Sequence, residues 1–233
     1  DIEAFFGNPG PLMKSPFSFK QYGECGQWVC DRYSNVARHV DKLAFIKSCY
    51  SESNDHVPAI YQINSGLPRP GFPTAGAWVT YGLGSENQSL PGYVVLGNTE
   101  GAKGGPHNWG AGFLPSTFQG TLFRSQGTPV LNLNRQPGVT EQDQRAQLDL
   151  MARLNDEHLR RHTRDAEFAN RMDSFELAFR MQKEAAEVVD LSRETQAMHQ
   201  LYGIDNPRSK SFGSKCLMAR RLIESGVRFV QVY

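Results

Sequence analysis

The sequence predicts an α/β fold, and three observations carry that expectation. Residues 34–66 read in the order helix, strand, loop, helix, the grammar of a sheet with a ligand-facing loop at a strand's carboxyl end. Two β-branched and aromatic runs, Tyr93-Val94-Val95-Leu96 and the terminal Val227-Arg228-Phe229-Val230-Gln231-Val232-Tyr233, read as buried core strands. From Thr140 onward the apolar period becomes 3.6, so helices follow a front of different character.

Taken in order, residues 7–33 hold Gly7, Pro9, Gly10, Pro11, Pro16, Gly23 and Gly26 between short alternating pieces such as Phe17-Ser18-Phe19, which predicts loop with a small hairpin. Ser34 caps a helix through Asp41 on which Val36, Ala37 and Val40 lie at helical spacing, and residues 43–49 (LAFIKSC) follow as a buried strand. After the polar stretch 51–55, Pro58 suits the first turn of a helix that Gly66 stops. Thr74 caps a short helix that Gly82 and Gly84 terminate. Residues 97–138 show no sustained period, and an ordered stretch of that length without regular elements is usually functional. Leu148, Met151 and Leu154 mark a stripe of the first long helix. Phe168, Met172, Phe175 and Phe179 recur at i, i+4, i+7 and i+11 on the second and are assigned to the core. Ser192 caps a helix ended by Gly203, and residues 212–225 form the last helix before the terminal strand.

Composition bounds the function. The 233 residues are 39% hydrophobic and 21% charged, enough apolar surface to offset the ordering entropy, so a disordered chain is excluded. A net charge of +1 gives no electrostatic footprint for nucleic acid or an acidic membrane, and no apolar run reaches the roughly 18 residues of a membrane span. Nineteen of the 22 glycines and 12 of the 13 prolines fall in residues 1–138. The chain is therefore read as one partial domain over 1–233, with a loop-rich site half at 1–138 and a helical half at 139–233. Because it starts without Met and stops on a core strand, the expectation is a fragment, incomplete at both ends. Cys25, Cys30, Cys49 and Cys216 lack paired zinc-ligand spacing. Cys25 and Cys30 could bridge in an exported protein, or all four are simple thiols.

The strongest local candidate is Asn54-Asp55-His56, which concentrates an amide, a carboxylate and an imidazole before a predicted helix N-terminus. The imidazole could ligate a metal or act as base or nucleophile; a capping Asp beside a surface His is the plainer alternative. Residues 101–107 (GAKGGPH) resemble a phosphate loop in composition alone, without its spacing. They read as a flexible loop in which His107 and Trp109 line a pocket and contact substrate. Arg160-Arg161-His162 and Arg164 read as a solvated helix end, and His158 and His162 lack the His-Glu-x-x-His pattern of a zinc helix.

The runs 15–23 (SPFSFKQYG), 54–59 (NDHVPA), 76–87 (GAWVTYGLGSEN), 112–115 (GFLP), 174–182 (SFELAFRMQ) and 219–231 (ARRLIESGVRFVQ) resemble the bacterial family catalogued as domain of unknown function 1501. That resemblance implies membership of the alkaline phosphatase and sulfatase superfamily: a three-layer α/β/α sandwich bearing a metal-assisted hydrolase site for phosphate or sulfate esters. Sulfatases present their nucleophile as Cys-x-Pro-x-Arg after a helix and a strand, with Thr-Gly closing the helix. Here His56-x-Pro58-x-Ile60 stands at that place, with Ser65-Gly66 at the matching distance. His in place of the nucleophile excludes formylglycine chemistry. By the same resemblance His56 is a metal-proximal residue supported by Asp55 and Asn54, and the whole protein takes zinc, manganese or calcium. The remaining ligands are expected outside this chain, which alone would hold no catalytic metal and turn over no ester. The implied substrate is a small-molecule or polysaccharide ester and the implied location periplasmic or extracellular. The alternative is a non-catalytic binding or surface-assembly protein on the same fold.

Overall fold

The run at 93–97 becomes a strand because it has an apolar neighbour on every side. In a computed structural model that describes residues 10–97, 102–124, 128–131, 133–161 and 166–233, all five residues of Tyr93–Gly97 are buried. Two compact units make up the chain, Asp1–Asn54 and Asp55–Tyr233.

In the first unit the expected hairpin forms. Strands β1 (Phe19–Tyr22) and β2 (Gln27–Cys30) pair antiparallel with Phe19 opposite Cys30 and Tyr22 opposite Gln27. The Asp41 carboxylate accepts from the amides of Glu24 (3.1 Å) and Cys25 (2.9 Å), which fastens the turn and holds the carboxyl below its ordinary range. The helix expected over 34–41 is shorter: α1 spans Ser34–Ala37 and a 3-10 turn follows at Val40–Lys42. The strand expected at 43–49 does not form. Those residues are irregular and exposed, with Ile46 at 77%, because among the described residues no partner strand lies beside them to take their amides. All four cysteines of the chain are free thiols.

The second unit is built on a parallel sheet of order β4-β3-β5, formed by β3 (Tyr93–Gly97), β4 (Thr121–Arg124) and β5 (Phe229–Val232). Val95 lies opposite Leu122 on one side and Gln231 on the other. Strand β4 falls in the stretch where no period was visible, since four residues are too few to show an alternation. On one face, Val94 and Leu96 join Phe123, Met181, Ala185, Met218 and Leu222 in the larger core. On the other, Tyr93 and Val95 pack with Trp109. A parallel sheet has no wet face, and both clusters follow from that.

The helices are α2 (His56–Ser65), α3 (Ala75–Leu83), α4 (Glu141–Arg161), α5 (Ala166–Val189), α6 (Gln196–Leu201) and α7 (Lys210–Glu224). Thr195 accepts from the Met198 amide as the cap of α6, one turn beyond the expected Ser192. The core stripe assigned to α5 is corrected. Phe175 is 46% exposed, whereas Met181, Ala185 and Val188 are buried, because the end of α5 nearer its C-terminus is the part that reaches the sheet. On α4 only Leu148 of the expected stripe is buried. The stretch 162–165 and the side chain of Phe168 lie outside the described residues, as do 98–101. Among the described residues no helix is long and apolar enough to cross a membrane.

The junction of α5 and α7 is electrostatic. Arg221 donates to the Val188 (2.7 Å) and Glu187 (2.8 Å) carbonyls at the end of α5, satisfying oxygens that a helix terminus leaves open. Arg221 and Arg220 also donate to Glu194 at 2.7 and 2.8 Å and hold its carboxyl below the usual 4.5. A depressed carboxyl stabilises the fold fully above its unfolded value and loses that contribution as pH falls through the folded one. Thermal unfolding followed from about pH 6 to about pH 3 is therefore expected to show a smaller loss of midpoint in Glu194→Gln than in the parent.

Helix α3 offers a paired test. A Cβ on Gly76 would lie 2.5 Å from the Tyr93 ring, while one on Gly82 meets nothing within 4 Å. Gly76→Ala is expected to destabilise by about 1–3 kcal/mol through overpacking, and Gly82→Ala to stabilise by about 0.5–1 kcal/mol through helix propensity. Urea denaturation of the two variants checks both signs.

Candidate functional site

Helix α2 begins at His56 because Asp55 is extended and its carboxylate accepts from the Val57 amide at 2.9 Å. Pro58 is tolerated in the first turn, where its missing N–H leaves no bond unmade. The helix ends at Gly66, whose φ of +85° only glycine adopts without strain and whose amide closes on the Gln62 carbonyl at 2.8 Å. Asp55 and His56 are both exposed, on the first residues of the second unit. Asn54 is exposed as the last residue of the first unit.

This geometry alters the chemistry expected at the helix start. Asp55 takes the Val57 amide, the Ala59 amide goes to the Asp55 carbonyl at 3.1 Å, and Pro58 has none to offer. The Asp55 carboxylate already takes up the helix end, so its charge is partly spent on the amides and dipole of α2. The residues present supply one imidazole and one carboxylate, short of the three protein ligands of a catalytic zinc site. Among the described residues no group of three or more His, Cys, Asp or Glu could hold a metal.

The two pocket candidates on the next loop separate. Residues Gly105–Trp109 form a 3-10 turn that exposes His107 and buries Trp109 to 5%. His107 lines a cleft of about 370 Å³ with Phe72, Pro106, Leu114, Ser116 and Gln119. Its ring meets the Tyr61 ring of α2 edge to face, 6.0 Å between centroids. Trp109 instead packs against the sheet with Tyr93 and Val95, a structural place that its neighbour's exposure hides in the sequence. A larger cleft of about 790 Å³ lies along α5, lined in part by Asn87, Leu90, Asp173, Glu176, Arg180 and Met181. There Arg145 pairs with Glu176 at 2.5 Å and Arg180 donates to the Gln88 carbonyl at 2.8 Å.

What the sequence reading missed is a polar network under this loop. Asn64 near the end of α2 donates to Asn108 (3.1 Å) and to the Tyr233 hydroxyl (3.0 Å), and accepts from Gln231 (2.9 Å). Gln231 also donates to the Tyr233 hydroxyl at 2.7 Å and accepts from Tyr93, while Asn108 donates to the Lys103 (2.7 Å) and Gly105 (3.1 Å) carbonyls. Burial raises both tyrosine hydroxyls above their ordinary 10, so both stay protonated. The available signal was Gln231, a polar residue in the middle of an otherwise apolar strand.

With this geometry in hand, the chain's relatives can be placed. The model of the family described as "Protein of unknown function (DUF1501)" matches residues 3–233. The chain belongs to the DUF1501 family. No curated protein and no solved structure matches it.

In this DUF1501 chain the network holds the His107 turn against α2, and Asn108 is buried to zero exposure. Asn108→Ala would strand the Lys103 and Gly105 carbonyls and one Asn64 donor, an expected cost of about 1–3 kcal/mol in urea unfolding. Because Asn64 and Asn108 share a bond, Asn64→Ala combined with Asn108→Ala should cost less than the two separately, by about 1 kcal/mol.

Proposed function

We propose that this chain contributes the His56 region to a divalent-metal hydrolase of phosphate or sulfate esters, built on an alkaline-phosphatase-like α/β/α sandwich. The observation that carries the reading is the start of α2, where an exposed imidazole stands directly after a carboxylate that caps the same helix. That pairing sets an imidazole beside a carboxylate on a fixed backbone, where both could reach one ion. The parallel sheet with an apolar cluster on each face supports the fold part of the reading. Zinc, manganese or calcium would supply Lewis-acid activation of the ester, with His56 beside the ion, Asp55 and Asn54 in support, and further ligands from outside the described residues. His107 would meet the substrate, while Trp109 serves through the core beneath it. Export from the cytoplasm belongs to the same reading.

A second reading, a non-catalytic binding or assembly protein on this fold, is favoured by one observation. Residues 43–49, where a sulfatase-like site has its leading strand, are irregular here.

The test is made on the full product of the gene, loaded with each metal in turn. His56→Ala is expected to lower bound metal and to slow hydrolysis of p-nitrophenyl phosphate or p-nitrophenyl sulfate about 100-fold or more. Metal content and hydrolysis both unchanged by that substitution would refute the first reading, and a parent protein that hydrolyses neither ester would leave the second.

A further inference from the structure

The cleft beside His107 has features that the hydrolytic reading does not use. Its walls come from two segments already locked together: the Thr74 amide donates to the Gly110 carbonyl at 3.2 Å, and Gly112, at φ +58°, lies so close that a Cβ would sit 2.4 Å from the Phe72 carbonyl carbon. Little ordering remains to be done on binding.

One wall is aromatic, and further rings pack against it. Phe72 lines the cleft, and Phe113 meets both Phe72 (6.4 Å) and Trp78 (5.8 Å) at interplanar angles of 87° and 72°. Phe113 is 65% exposed and Trp78 46%, a large apolar surface to leave in water. The opposite character comes from His107, Ser116 and Gln119, three exposed side chains in the lining that make no side-chain hydrogen bond among the described residues. Among the described residues no carboxylate lines the cleft. Above Phe72 stands the Arg69 guanidinium, 5.2 Å from the ring centroid, exposed and without an ion pair among the described residues.

We propose that this cleft binds a pyranose bearing a negative charge. A pyranose is apolar on its C–H faces and polar around its edge, which matches an aromatic wall opposed by an imidazole, a hydroxyl and an amide. The charge is set by Arg69, which stands over the lining ring of Phe72, and by a lining without carboxylates among the described residues. A planar base would need parallel ring faces to stack between; these rings are close to perpendicular and instead form a corner that a puckered ring fills. Binding here does not depend on ester hydrolysis, so either reading can fail alone.

Isothermal titration of the intact chain with glucuronate, galactose 6-sulfate, galactose, inorganic sulfate and AMP tests the proposal. Both charged sugars are expected to bind saturably, in about the millimolar range, with galactose about fivefold weaker and inorganic sulfate silent. Phe113→Ala should weaken the charged sugars about tenfold, and Arg69→Gln should bring them to the level of galactose. Both residues are exposed, and circular dichroism confirms that the variants fold. Failure of both charged sugars to bind, equal binding of inorganic sulfate, tighter binding of AMP, or an unchanged affinity in Phe113→Ala would each overturn the proposal.

Discussion

The burial of β3 on both faces is the constraint on which the second unit depends. A strand with parallel neighbours on each side has its backbone satisfied within the sheet, but its side chains need cover above and below. The cover is asymmetric. Val94 and Leu96 are met by residues of α5 and α7, long helices that bring whole apolar faces. Tyr93 and Val95 are met by Trp109 on a single 3-10 turn, with Tyr93 also filling the space that Gly76 leaves on α3. The thinner cover is where polar groups enter the interior, because short segments leave backbone carbonyls that helices would have satisfied themselves.

That asymmetry explains the amide network. The 102–110 segment turns too tightly to bond all its carbonyls internally, so Asn108 supplies two donors to Lys103 and Gly105 and is drawn inward to zero exposure. Once it is buried, its own oxygen needs a donor, and Asn64 provides it. Asn64 then needs an acceptor and a donor of its own, which Tyr233 and Gln231 complete. Each member is at least half-buried at a cost that the next member offsets, so the group acts as a unit. It leaves His107 outside and Trp109 inside, two residues apart on the same turn.

Legibility in the sequence follows the same physics. Helix α2 was readable to the residue at its end because Gly66 is a local signal, and β3 because four apolar residues stand together between turns. The helices α4 and α5 were readable as periods, yet their buried faces were not. Periodicity shows that an apolar stripe exists, and Phe175 and Leu154 show that a stripe can extend past the surface it packs on. The strand expected at 43–49 had the right composition and lacks a partner among the described residues, which no local pattern reports. His56 and His107 were found because imidazoles are rare and chemical. Asn64 and Asn108 were missed because nothing in one sequence tells a buried amide from a loop amide.

Helix α2 connects these levels. His56 opens it, Tyr61 in its middle bears on His107, and Asn64 one residue before its last is tied to the sheet. Five steps of helix lead from His56 to Tyr61, a rise of about 7.5 Å, so His56 and the ring that bears on His107 belong to one rigid element. The amide network holds the far end of α2, the Tyr61 hydroxyl donates to the Gly104 carbonyl at 2.9 Å from its middle, and the Asp55 carboxylate caps its near end. An error in seating Asn64 would therefore displace His56 and the wall against His107 together. A helix capped by a carboxylate at one end and anchored by amides at the other holds His56 and the ring that meets His107 at a set spacing.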